Sequence, residues 1–286
     1  MFAVGGGPAG GILAGLIVAH YDGTSWNASE LTPGAVVNSG ALYGVWGSGP
    51  TDVFAVGDPR IACGDHTCSA AVILRYNGTS WSAENSGTSE TLYGVWGSSG
   101  ADVFAVGTGG TILHYDGTSW SPQISGSTEP LASVWGSGPA DIFAVGGDLF
   151  SSTVTMLHYD GASWSAQPVP PGSSVLNGVW GSGPTNVFAV GYSGTILHYD
   201  GTSWSAQASG TTQQLFGVWG SAATDVFAVG DGGTILHNDG TSWRAQSIGT
   251  GTTEPFGGVW GSAATNVYVA GPLACCHGGF VFHGSR

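Results

Sequence analysis

The chain has 286 residues, 52 of them Gly, and 42% are hydrophobic, enough for a large core. Charge is scarce: only 8% of residues are charged, Lys is absent, and four Arg against 18 acidic residues leave a formal net charge of −14. That balance argues against nucleic acid as a partner, because neutralising phosphates takes Lys and Arg. The apolar, aromatic-rich composition argues against disorder.

No run of 18 apolar residues exists to span a membrane. Ile12–Ala19 is the best candidate. It is too short for a span, lacks the basic flank of a signal peptide and aligns with a repeat strand.

A short apolar segment returns along the chain, at Phe2–Gly5, Val53–Gly57, Val103–Gly107, Ile142–Gly146, Val187–Gly191, Val226–Gly230 and, altered, Val267–Gly271. It sits within a longer unit, clearest at Leu215–Trp243, and repetition on this scale predicts a repeat architecture. Each unit reads as four strands. Strand A is Leu92–Ser98, B is Asp102–Gly107, C is Thr111–Tyr115 and D is Trp120–Ile124. Gly, Ser, Thr and Asp fill the connections as turn residues. Strand B places Val103 and Ala105 on one side and Phe104 and Val106 on the other. Both faces are apolar, so each sheet is covered on both sides. Strand D turns polar at Ser121 and Gln123, as an outer rim does. The pattern predicts an all-β, seven-bladed β-propeller of four-stranded antiparallel blades, with six blades as the alternative. It is read as one domain over residues 1–286.

Tyr115–Trp120 looks like a shortened Asp-box turn, and the pattern GVWGS, DVFAVG, TILHYDGTSW resembles the BNR/Asp-box-like repeats of bacterial secreted and surface propellers. More distantly it is similar to the photosystem II assembly factor and kelch propellers. The resemblance covers essentially the whole chain and implies the fold strongly. It implies function weakly, because propellers host unrelated activities.

The first blade is read as lacking strand A and the last as lacking strand D. Strand addition from another chain is the expectation that follows, giving self-association through the terminal blades.

His20, His114, His158, His198, His237 and His283 share one place on strand C, and Arg75 takes it in the second blade. Equivalent places in successive blades lie far apart, so they cannot converge on one metal. Each imidazole is expected to bond a backbone carbonyl or the strand-B Asp, as the His of WD repeats does. The twelve Trp fall at two fixed places, on strand A and after the Asp-Gly turn. That regularity favours blade packing over a glycan-binding cage. Asp22, Asp116, Asp160, Asp200 and Asp239 read as turn formers, and the calcium-loop spacing is absent.

The repeat breaks at its B–C connections, which are long in the first, second, fourth and seventh blades. Antiparallel order puts B–C and D–A loops at one end of the sheets, where a binding face is expected. Arg60, Asp65, His66 and His277 are the candidate residues there. Cys63, Cys68, Cys275 and Cys276 lie in the same loops. Two disulfides suit a secreted chain. A zinc site or free thiols are the other readings, and the spacing fits no familiar zinc pattern.

No catalytic residues are assigned. The four Arg occupy different repeat positions, and no nucleophile elbow, phosphate loop or zincin motif appears. Glu30, Glu84, Glu90, Glu129 and Glu254 read as solvated loop charges rather than paired glycosidase carboxylates. The expectation is a non-enzymatic extracellular or cell-surface propeller with neither metal nor cofactor. It would act as a structural or interaction protein or a self-assembling fibre subunit, with a carbohydrate-binding lectin as the alternative.

Overall fold

A computed structural model describes residues 2–6, 16–21, 24–31, 41–58, 60–63, 66–69, 71–247, 253–272 and 279–284. The chain divides into two compact units, Met1–Val134 and Trp135–Arg286.

In the first unit, β1 (Phe2–Gly6), β2 (Leu16–Tyr21) and β3 (Trp26–Leu31) form a three-stranded sheet. Next come β4 (Leu42–Gly49), β5 (Asp52–Gly57), β6 (Arg60–Cys63), β7 (His66–Ser69), β8 (Val72–Tyr76) and β9 (Trp81–Glu84). Here β4-β5-β8-β9 make a four-stranded sheet, and β6-β7 form a separate ribbon within the long B–C connection. The third sheet is β10 (Leu92–Ser99), β11 (Asp102–Gly107), β12 (Ile112–Tyr115) and β13 (Trp120–Gln123), paired in that order.

A fourth sheet runs β14 (Leu131–Gly138), β15 (Asp141–Asp148), β16 (Thr153–Tyr159) and β17 (Trp164–Ala166). The second unit continues with β18 (Leu176–Gly183), β19 (Asn186–Gly191), β20 (Ile196–Tyr199) and β21 (Trp204–Gln207). Then come β22 (Leu215–Ala222), β23 (Asp225–Gly230), β24 (Ile235–Asn238) and β25 (Trp243–Ala245). It closes with three strands, β26 (Gly258–Ala263), β27 (Asn266–Pro272) and β28 (Gly279–Gly284).

The repeated antiparallel unit is the blade of a β-propeller, the class that the sequence predicts. Among the described residues, five sheets carry all four strands; the first and last carry three. Strand positions follow the sequence reading closely, with one correction. Glu84 and Glu30 lie in β9 and β3 rather than in loops, because strand D continues past its polar residues. The described part of the strand expected near Ile12–Ala19 is β2, from Leu16.

Burial explains why strand B recurs. Val103, Phe104, Ala105 and Val106 are all buried, two on each face of their sheet. Removing a buried aromatic such as Phe104 from this setting costs about 3–5 kcal/mol.

Glycine lets the inner strands approach. A Cβ on Gly44 would sit 2.8 Å from the Tyr93 carbonyl oxygen. Within the second unit, a Cβ on Gly181 would meet Trp135 Cη2 at 2.5 Å, and one on Gly220 would meet Trp180 Cη2 at 2.6 Å. The Trp-Gly of strand A is therefore a packing pair between neighbouring sheets: the indole of one strand lies over the glycine of the next. The sequence reading of Trp as a packing residue holds here.

Candidate interaction surface

The two ends of the sheets differ in chemistry. At the A–B end, polar side chains are consumed in repeated networks. Ser98 donates its hydroxyl to Asp102 Oδ2, and His114 Nε2 lies 2.6 Å from Asp102 Oδ1. Ser221, Asp225 and His237 repeat this at 2.6 and 2.8 Å, and Ser137, Asp141 and His158 do the same. Each imidazole also stacks on the strand-B Phe beside it, at 4.4 Å between centroids for Phe104–His114. The expected His-to-strand-B-Asp bond is thus observed.

The residue types are those of a hydrolase triad, but the connectivity is not. Asp stands in the centre, and the Ser hydroxyl donates to the carboxylate instead of to the imidazole. The imidazole, which takes the proton in such a triad, instead meets the other carboxylate oxygen. In the second sheet Arg75 replaces His. Its Nε donates to Asp52 Oδ1 at 2.9 Å and its guanidinium also donates to the Tyr115 hydroxyl at 2.8 Å, joining two sheets.

The C–D turns lie at the same end. Asp116 Oδ1 accepts from the Thr118 hydroxyl and from the backbone N–H of Thr118 and Ser119. These bonds favour the carboxylate and pull Asp116 down to about 2, as they do Asp200 and Asp239. The Asp of the repeat is a turn former, as the sequence implies.

The other end carries the B–C turns and D–A connections. Thr108 N–H donates to the Thr91 carbonyl, Asp58 N–H to that of Ala41, and Tyr192 N–H to that of Val175, all at 2.9 Å. Each bond ties a B–C turn to the residue just before strand A. On this end the structure displays variable side chains.

The first group comes from strand A. In β10, Leu92 pairs with Gly107 and Gly94 with Val106, so Tyr93 is the extra residue of a β-bulge. Tyr43, Asn177 and Phe216 occupy the same bulge in β4, β18 and β22. A bulge re-aims one side chain while its neighbours stay in register, and bulges concentrate near functional sites. The Leu before each of these residues is buried, whereas Tyr43 is 49% exposed. In the first unit, Tyr43 and Tyr93 meet edge to face, 5.5 Å between centroids. Burial raises the Tyr93 phenol above its usual range, with Tyr43 and Asp58 adding to the effect. In the second unit, Asn177 Nδ2 donates to the Leu215 carbonyl at 2.8 Å.

The second group is a hairpin tip. Where other described B–C turns are tight (Thr108–Gly110, Tyr192–Gly194, Asp231–Gly233), β15 and β16 extend and pair as far as Asp148 and Thr153. Phe150 at the tip is fully exposed (100%) and Leu149 is 50% exposed. Phe150 N–H donates to Asp148 Oδ1 at 2.9 Å, which holds the tip in a defined turn. An ordered hairpin that ends in a bare Phe is an unusual use of apolar surface.

Of the residues singled out from sequence, Arg60, Cys63, His66 and Cys68 have described backbone in the ribbon, where Cys63 pairs with His66 and Ile61 with Cys68. Their side chains, and Asp65, Cys275, Cys276 and His277, lie outside the described residues. Among the described residues no group of His, Cys, Asp or Glu could hold a metal ion, and no helix is long and apolar enough to cross a membrane. The bulge residues were missed in the sequence reading. Their signal is a variable position between a near-invariant Leu and a near-invariant Gly.

Solved structures share this fold. A structure described as YCF48 bound to D1 peptide matches with a TM-score of 0.71 at 13% identity, covering 96% of this chain and 86% of that chain. YCF48 from Cyanidioschyzon merolae matches at 0.67 and 12% identity, covering 90% and 86%. The RRP9 WD40 repeats match at 0.60 and 9% identity, covering 84% and 79%. No protein-family model and no curated protein matches the sequence. At these identities the similarity establishes the propeller fold.

Proposed function

We propose that this chain is a non-enzymatic protein-interaction propeller, acting outside the cell or on its surface, that binds partners through the end carrying the B–C and D–A loops. The observation that carries the reading is the Leu149–Phe150 hairpin tip, exposed on an otherwise regular scaffold and closed by the Asp148 side chain. A fixed aromatic anchor orders little on binding and suits a hot spot in a partner's pocket. One similar propeller is described as bound to a peptide, which supports a protein or peptide as ligand. The extracellular setting rests on composition, above all the absent Lys and low charge.

Self-association through the terminal sheets is the assembly we propose with it, as in a fibre subunit. Its support is Trp260, 43% exposed on β26, where the other strand-A Trp are half-buried. A lectin reading draws no support from the remaining Trp, which are all at least half-buried.

The test is a double substitution, Leu149→Ser with Phe150→Ser, in affinity capture from extracts and culture medium of the source organism. The variant folds as the parent does and loses a specific protein partner that the parent retains. Equal capture by both proteins would sink the reading.

A further inference from the structure

The described C–D turns open on Asp followed by Gly, at Asp116, Asp160, Asp200 and Asp239, with one exception: in the second sheet the pair is Asn77-Gly78. An Asn side chain is most labile before Gly, which leaves the next backbone nitrogen unshielded. Asn77 is exposed. Its Oδ1 accepts from the Thr79 N–H at 3.0 Å, the Thr79 hydroxyl at 2.7 Å and the Ser80 N–H at 3.0 Å. These donors polarise the side-chain carbonyl. They also stand where negative charge gathers on Oδ1 once a nucleophile adds to Cγ, as an oxyanion hole does. Among the described residues nothing accepts from Asn77 Nδ2 or from the Gly78 N–H. The attacking and the leaving nitrogen are therefore both open to water.

The other Asn-Gly pair of the chain, Asn177-Gly178, is held differently. Asn177 Nδ2 donates to the Leu215 carbonyl at 2.8 Å. Gly178 is buried in β18 and pairs with Val190. Closing its nitrogen on the side chain would pull the strand out of register. The Asp turns resist for another reason. Asp116, Asp200 and Asp239, held at about 2, stay ionised, and a carboxylate is a poor electrophile with no neutral leaving group.

We infer that Asn77 is a site of spontaneous modification, where the Gly78 nitrogen attacks Cγ, the turn's own donors hold the oxygen and the side chain is lost as ammonia. The N–Cγ bond forms as Cγ–Nδ2 breaks, and the Gly78 amide proton leaves on the ammonia. Water then opens the succinimide ring at either carbonyl, giving Asp or isoaspartate. The sum is Asn plus water to an acid plus ammonia, with no change of oxidation state. The Asp product brings the second sheet to the residue of the other turns and adds one negative charge. The isoaspartate product runs the backbone through the former side chain, lengthening the β8–β9 turn by a methylene. No partner takes part, so the inference stands apart from the interaction reading.

The experiment incubates the full native chain in mildly alkaline buffer, samples it over time, and reads peptides from an acid pepsin digest by mass spectrometry, with released ammonia measured alongside. The Asn77 peptide converts from amide to acid while the Asn177 peptide stays unchanged. In urea, where the strand no longer protects it, the Asn177 peptide converts too.

Two variants test the chemistry. Thr79→Ala copies the fourth sheet, where Ala162 holds that place and its N–H still bonds Asp160, so the turn is kept while one donor is lost. Conversion at Asn77 slows several-fold. Asp116→Asn adds a second reactive turn with the bonds of the first, and its conversion keeps pace with that of Asn77. An Asn77 that persists in the native chain, an Asn177 that converts as fast there, an Asn177 still inert in urea, or a Thr79→Ala turn that reacts no more slowly would each overturn the proposal.

Discussion

His198 faces an amide where His114, His158 and His237 face carboxylates: its Nε2 lies 2.7 Å from Asn186 Oδ1. Burial pushes the His198 imidazole below its usual value of 6.5, with Asp200 only partly opposing. A base whose folded pKa is depressed binds fewer protons folded than unfolded just below that value. Its contribution to stability is full above about pH 6.5 and falls as the pH drops through the folded pKa.

Asn186→Asp installs the carboxylate found at Asp52, Asp102, Asp141 and Asp225. The variant gains roughly 0.2–1 kcal/mol relative to the parent near pH 5.5, the range for partly exposed ion pairs, and less near pH 8. Urea unfolding of both proteins at the two pH values checks this. A gain that is larger at pH 8 would contradict the sign.

The C–D turns set the behaviour in acid. Asp116, Asp200 and Asp239 are held at about 2, by the Thr hydroxyl first and then by backbone amides. Carboxylates with lowered folded pKa stabilise above their unfolded value near 3.9 and lose that contribution as pH falls toward about 2. Replacing all three by Asn, the residue already present at Asn77, removes the titration. Stability of the triple variant falls less between pH 4.5 and pH 2.5 than that of the parent, by denaturant midpoint. Parallel curves would refute the turn assignment.

Close packing of Trp on Gly is tested by a matched pair. Gly181→Ala drives a methyl into Trp135 and destabilises by about 1–3 kcal/mol. Gly183→Ala, two residues on in the same strand, meets nothing within 4 Å and stays within about 0.5 kcal/mol of the parent. Thermal unfolding separates the two outcomes.

Arg75→His tests the link between the second and third sheets. The imidazole can still reach Asp52, as His114 reaches Asp102, but the bond to Tyr115 and the stacking over Phe54 and Tyr115 disappear. The loss is about 0.5–1.5 kcal/mol. A stability unchanged in chemical denaturation would show that the sheet-to-sheet bond contributes nothing.

What the sequence made legible was what the repeat enforces. Strand B announces itself because Phe104 and Val106 must be as apolar as Val103 and Ala105 when both faces are covered. Asp102 was one of the two partners expected for His114, beside a backbone carbonyl, because both types keep fixed places on their strands. The surface was harder to read. A bulge shifts register by one residue and leaves no compositional mark, so Tyr43 and Tyr93 looked like ordinary strand positions. The long fourth B–C connection was seen as irregular, but nothing local says that Asp148 caps its tip and leaves Phe150 bare. The cysteines drew notice because cysteine is rare here, and rarity is not geometry. The Ser of Trp-Gly-Ser passed as no more than the end of strand A, although Ser98 and Ser221 bond the very Asp that holds His.

Site-specific photo-cross-linking tests the central claim most directly. A benzophenone amino acid replaces Phe150 in one protein and Thr202, on a C–D turn, in another, and each is irradiated in its native setting. The account predicts a discrete protein adduct from position 150 and none from position 202. Adducts from position 202 with none from position 150 would contradict it.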